Sequence, residues 1–187
     1  EELGSRLAAR GHSVTVYCRE RHAESTYKGV HLVYLPTIRH KYFDTIAHTF
    51  FSTLRLLGSR YDALLYCNAA NAVFTWMPRV VGMPVALNVD GLERNRKKWN
   101  ALAKAWYRIS EWLATWMPSK IVTDAAAIAD YYRTQYNTDS IMIPYGAELG
   151  PVATSEVLEK LGLERKRYFL YVSRMEPENN GLLVRES

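Results

Sequence analysis

The stretch DALLYCNAANAVFTWMPRVVGMPVALNVDG, residues 62–91, changes period twice. Asp62-Ala-Leu-Leu-Tyr66 reads as a short buried strand, Ala70 to Val81 as a helix that Gly82 ends, and Pro84 to Val89 as a second strand. The same alternation continues on both sides. Upstream, Leu3, Leu7 and Ala8 share one helical face before Gly11, Ser13 to Tyr17 and His31 to Leu35 read as strands, and Pro36 closes the second. Phe43, Ile46, Ala47, Phe50, Phe51, Leu54 and Leu57 then recur at helical spacing until Gly58. Downstream come a long helix from about Lys97 to Met117, a strand Lys120 to Thr123, a helix Ala125 to Tyr136 and a strand Ser140 to Ile143. Apolar strands alternating with amphipathic helices predict an α/β chain: a doubly wound parallel sheet, Rossmann-like, with right-handed crossovers. After Gly150-Pro151 the composition shifts. Thr154 to Leu161 reads as a short capped helix ending at Gly162, and Tyr168 to Val172 as a new strand. The expected organisation is a domain over residues 1–150 that lacks its first strand. A linker and the first strand of a second, truncated Rossmann-like domain follow over 151–187.

With 187 residues, 48% of them hydrophobic and 23% charged, the chain can bury a core and is not of disordered type. Two cysteines, Cys18 and Cys67, are too few for a disulfide scaffold or a zinc site built on cysteines, which points to a reducing cytoplasm. No apolar run approaches the roughly 20 residues that cross a bilayer, and residues 1–5 do not read as a signal peptide. The net charge of +5 is uneven. Residues 1–120 hold 17 Lys and Arg against 9 Asp and Glu, whereas residues 121–187 hold 7 against 10. A basic first part suits an anionic partner such as nucleic acid, phosphate groups or a membrane surface.

The chain has no G-x-S-x-G, H-E-x-x-H, Walker or G-x-G-x-x-G motif, and no Asp-x-Asp to chelate a divalent cation, so no metal is expected. In a parallel sheet ligands sit beyond the carboxyl ends of the strands, which directs attention to Cys18-Arg19, Cys67-Asn68, Asp90-Gly91, Asp124 and Tyr145-Gly146. Asp90 and Glu93 can accept a proton or hold a sugar hydroxyl there; equally, Asp-Gly is a turn and Glu93 a charge near a helix start. The next helix carries Trp99, Leu102, Trp106, Ile109, Leu113 and Trp116 at helical spacing, beside Lys104 and Arg108. Such a stripe is either core or a membrane-interface face; no nucleic-acid motif accompanies it, so no nucleic-acid partner is expected. Arg174, after the last strand, reads as a phosphate ligand or as an ordinary loop arginine.

Four segments occur in order at strand ends: Cys67-Asn-Ala-Ala-Asn-Ala72, Asn88-Val-Asp-Gly-Leu-Glu93 with Lys98-Trp99, Ile143-Pro-Tyr-Gly-Ala-Glu148, and Arg174-Met-Glu-Pro-Glu-Asn-Asn180. Together they resemble bacterial family 4 glycosyltransferases of the rhamnosyltransferase-like group. The resemblance implies a GT-B fold, in which two Rossmann-like domains face each other across a cleft. It further implies retaining, metal-independent transfer of a sugar, plausibly rhamnose, from a nucleotide-sugar donor to a surface polysaccharide or lipid-linked acceptor at the inner face of the cytoplasmic membrane. Asp90 is carried over as the catalytic candidate, Glu93, Asn68 and Asn71 as acceptor-side candidates, and Arg174, Gly146 and Glu148 as donor-side candidates. The lysine that often follows the strand-end arginine in such enzymes has no counterpart in Glu178-Asn179-Asn180. A lone 187-residue chain of this kind is expected to be an inactive fragment. The rival expectation is a non-catalytic Rossmann-like binding or membrane-docking module.

Overall fold

The computed structural model describes all residues except 41–42, 93, 95, 97–98, 148–149, 151–155, 174–178 and 187. Helix α1 (Glu2–Ala9) leads to strands β1 (Val14–Cys18), β2 (Thr26–Tyr27) and β3 (Val30–Tyr34), and then to helix α2 (Asp44–Leu56). Strand β4 (Leu64–Cys67), a 3-10 helix (Ala69–Phe74), α3 (Trp76–Val80) and β5 (Val85–Val89) form the unit quoted above. Helix α4 (Ala101–Ala114), β6 (Lys120–Thr123), α5 (Ala126–Tyr136) and β7 (Ile141–Met142) follow, and two short helices, α6 (Glu156–Lys160) and α7 (Gly181–Glu186), come last. Gly11, at φ 89°, ends α1 as expected, its N–H and that of His12 closing on the Ala8 and Leu7 carbonyls.

The strands make a four-stranded, all-parallel sheet in the order β4-β5-β6-β7, as an α/β crossover fold requires. A second sheet pairs β1 with β3 in parallel and adds β2 to β3 antiparallel, a hairpin the period alone did not reveal. Strand β5 is central in the parallel sheet, and Val85, Leu87 and Val89 are all buried. They meet Leu56, Tyr66, Ala69, Ala72, Leu113, Ala114, Ile121 and Tyr132 in one core. Thr53, fully buried on α2, reaches the Tyr66 hydroxyl at 2.8 Å, so the crossover helix is tied to the sheet by a satisfied polar contact.

Three expected elements differ. The helix expected over 70–81 is split. Asn68 stands at φ 75° and its side chain caps the Ala70 N–H at 2.9 Å, starting a tight 3-10 turn, and Thr75 Oγ1 donates to the Ala72 carbonyl at 2.7 Å where that turn ends. The chain restarts at Trp76, which places Pro78 in the first turn of α3, where its missing N–H leaves no helical bond broken. The long helix begins at Ala101, because Asn100 is extended and its side chain accepts the Ala103 N–H at 2.9 Å. Residues 168–172 form no strand; no ladder partner lies beside them among the described residues, and Phe169 is fully exposed.

Candidate functional site

Asn68, one residue past β4, donates its backbone N–H to the Asn88 carbonyl at 2.9 Å and so carries the β4–β5 ladder beyond the strand end. Asn71 is buried, and its side-chain nitrogen donates to the Cys67 carbonyl at 2.7 Å. Asn71 therefore shapes the turn from within, while its Oδ1 is buried without a hydrogen-bond partner. Asp90 follows β5 and is exposed. Val89 pairs in register with Thr123, so Asp90 and Asp124 take matching places one residue beyond the ends of neighbouring parallel strands. Burial of the Cys67 sulfur, and after it the Asp90 charge, push its thiol pKa up. The Asn88 side chain donates to the Tyr145 hydroxyl at 3.4 Å, joining the segment after β7 to the same edge. Gly146 is exposed there, with open space where a side chain would start. Of the residues singled out from sequence, Asn68, Asp90 and Gly146 thus share one strand-end edge. Glu93, Glu148, Arg174 and Lys98 lie outside the described residues.

Sequence reasoning missed a cluster behind this edge. Glu111 of α4 is 1% exposed, and its Oε2 accepts from the hydroxyls of Tyr131 at 3.0 Å and Tyr136 at 3.2 Å, both on α5. Arg94, four residues past Asp90, sets Nε 3.0 Å from the same oxygen and donates a terminal nitrogen to the Tyr131 hydroxyl at 2.5 Å. Burial raises the Glu111 carboxyl pKa, and the Tyr131 hydrogen bond and the Arg94 charge pull it back. A carboxylate on the inward side of α4 was the available signal. Its partners, drawn from a loop and from another helix, leave no mark at fixed spacing.

Helix α4 also settles the aromatic stripe in parts. Leu113 is buried, and Trp106 is half-buried with its Nε1 donating to the Ala70 carbonyl at 3.3 Å. Leu102, Ile109, Trp112 and Trp116 face outward, the last two 54% and 51% exposed with their rings edge to face. Arg79 of α3 donates to the Trp116 and Met117 carbonyls just past the end of α4, and Trp76 and Val80 of α3, with Val81 after it, are exposed. Within 69–89 and 101–120 the only carboxylate is the buried Glu111, whereas Arg79, Lys104, Arg108 and Lys120 are exposed. No helix among the described residues is long and apolar enough to cross a membrane.

A cavity of about 500 Å³ lies beyond the ends of β1 and β3, lined by Arg19, Glu20, Thr37, Arg39, His40, Asp44 and Thr45. Arg19 bonds Asp44 at 2.8 Å and Thr45 at 3.2 Å at the start of α2.

Residues 1–146 match the family model described as a glycosyl transferase 4-like domain. No curated protein matches the chain.

Proposed function

The chain belongs to the glycosyl transferase 4-like family over residues 1–146, and from that premise we propose that it forms the acceptor side of a retaining glycosyltransferase. The family's chemistry is glycosyl transfer, so the reaction needs a nucleotide-sugar donor and an acceptor. The sugar in this reading is rhamnose, and the acceptor a surface polysaccharide or its lipid-linked precursor. The observation that carries the site is the joining of Asn68 and Tyr145 to Asn88 at the edge of the parallel sheet that Asp90 follows, where α/β folds place their ligands.

In the transfer step the acceptor oxygen bonds to the anomeric carbon as the bond from that carbon to the donor diphosphate breaks. The hydroxyl proton passes to the departing phosphate. Asp90 orients the hydroxyl by accepting its hydrogen bond, and Asn68 and Glu93 hold neighbouring hydroxyls; Asn71 supports the turn that presents Asn68. Arg174, Gly146 and Glu148 belong to the donor side, where the arginine balances diphosphate charge in place of a metal. The protein works at the inner face of the cytoplasmic membrane, with the outer face of α4 and the adjoining α3 residues against anionic lipid.

The test is sugar transfer and donor binding measured side by side for the complete protein and its Asp90→Asn variant. Transfer is expected to fall far more than donor affinity, and near-normal turnover removes Asp90 from the site.

A further inference from the structure

We propose that Arg94 is a positioning residue: clamped by Glu111 and Tyr131, it fixes the loop that presents Asp90. Where it concerns Asp90, this rests on the glycosyl-transfer reading.

Asp90 is joined directly to the buried end of β5 at Val89, and the chain beyond it leaves the sheet. Asp90 is exposed, and the next residue, Gly91, meets open space on the side a Cβ would occupy. Four residues of chain span at most about 14 Å, so with β5 holding one end of this short segment an anchor at Arg94 holds the other. The anchor draws its contacts from three parts of the fold. Arg94 comes from the loop after β5, Glu111 from α4, and Tyr131 and Tyr136 from α5. The guanidinium donates a terminal nitrogen to the Tyr131 hydroxyl, its Nε lies 3.0 Å from Glu111 Oε2 as an ion pair without hydrogen-bond geometry, and its carbon lies 5.6 Å from the centre of the Tyr131 ring. Tyr131 and Tyr136 each donate to Oε2. Three groups thus converge on one oxygen, two by hydrogen bonds and Arg94 by charge, while Arg94 Nε and Glu111 Oε1 are both buried with no hydrogen-bond partner.

This arrangement is a poor way to gain stability. Burying a carboxylate costs several kcal/mol in desolvation, and well-packed apolar side chains of similar volume commonly do as well or better. What it supplies is direction. A planar, forked guanidinium fits one orientation between the carboxylate and the hydroxyl, whereas an apolar contact would let the loop slide. Lysine offers one compact charge at the end of a flexible stem and cannot meet both partners in a fixed geometry. The strand-end loop is thereby locked to both helices that flank β6.

The experiment compares the complete protein with its Arg94→Lys variant. Amide hydrogen exchange is followed over residues 90–96 and over β5 and β6, and kcat and the donor KM are measured in parallel. Exchange over 90–96 is expected to quicken about tenfold while β5 and β6 stay protected. The kcat is expected to drop about ten- to a hundredfold with the donor KM unchanged, the size of effect that misplacing a reacting group produces. A normal kcat with a loosened loop overturns the positioning role. Unchanged exchange overturns the clamp, and so does exchange that quickens equally across β5 and β6, which is general destabilisation. If the unaltered protein transfers no sugar, the function reading fails on its own, and the exchange comparison still decides whether Arg94 holds the loop.

Discussion

The two faces of α4 are each mixed where a surface helix usually separates apolar from polar. Its inner side buries Ser110 and Glu111 along with Tyr107, Leu113 and Ala114, while its outer side shows Leu102, Ile109 and Trp112 to solvent, joined by Trp116 just past its end. An amphipathic helix ordinarily sends its apolar stripe inward. Each departure has its own reason here. One oxygen of the inner carboxylate is met by Arg94 and two tyrosines, so its burial is offset in part. The outer aromatics share their stretch of chain with the exposed cations Lys104, Arg108 and Lys120, the composition on which the proposed lipid contact rests. Helical spacing identifies the helix; the partners of each side chain decide which way it faces.

Breaking the inner face should produce the largest effect. Glu111→Leu leaves Arg94 and two hydroxyls without their acceptor and is expected to cost about 3 kcal/mol in urea unfolding. Arg94→Met with Glu111→Leu together should recover most of that loss. Equal losses in the single and double variants would mean that the two residues are not coupled.

Changing the outer face should leave the fold alone. Trp112→Ser with Trp116→Ser is expected to shift stability by less than about 0.5 kcal/mol, as surface changes usually do. The same pair should weaken binding to vesicles rich in anionic lipid by about tenfold, with added salt weakening it further. Binding that survives the double change would assign the outer face to something other than lipid.

The smallest effect is a slope with pH. Burial raises the folded-state pKa of Glu111 above its ordinary value of 4.5. The folded protein therefore keeps the proton where the unfolded chain has released it. The resulting stability is present below about pH 4.5 and is lost as pH rises through the folded value. Relative to Glu111→Gln, which does not titrate, the unaltered protein should be most stable at the acid end and lose ground as pH rises. An opposite slope would show that the attraction of Arg94 outweighs burial.

Much of the parallel sheet was legible because its strands are short, apolar and bounded by Gly or Pro. Lys120–Thr123 appears as read, β5 differs from its reading by one residue, and Gly11 ends α1 where expected. The break at residues 74–76 was not legible, because Ala70 to Val81 keeps helical periodicity while Asn68 and Pro78 impose a 3-10 turn and a restart. Tyr168 to Val172 has strand composition, yet a strand exists only where another edge accepts its hydrogen bonds. At the site, Asn68, Asp90 and Gly146 could be named because strand ends are predictable positions. Glu111 could not, since its role is set by Arg94 seventeen residues earlier and by tyrosines on another helix. The register that sets Asp124 beside Asp90 is likewise a property of the sheet, invisible in either segment alone.

The central claim is that Asp90 serves the acceptor in glycosyl transfer. Its most direct test is the rate at which the complete protein moves sugar from a nucleotide-sugar donor to acceptor, measured beside donor affinity, for aspartate and for asparagine at position 90. The expected result is transfer with retained anomeric configuration that falls about a hundredfold or more in the variant at unchanged donor affinity. Equal rates with either residue, or donor affinity lost in step with turnover, would contradict it.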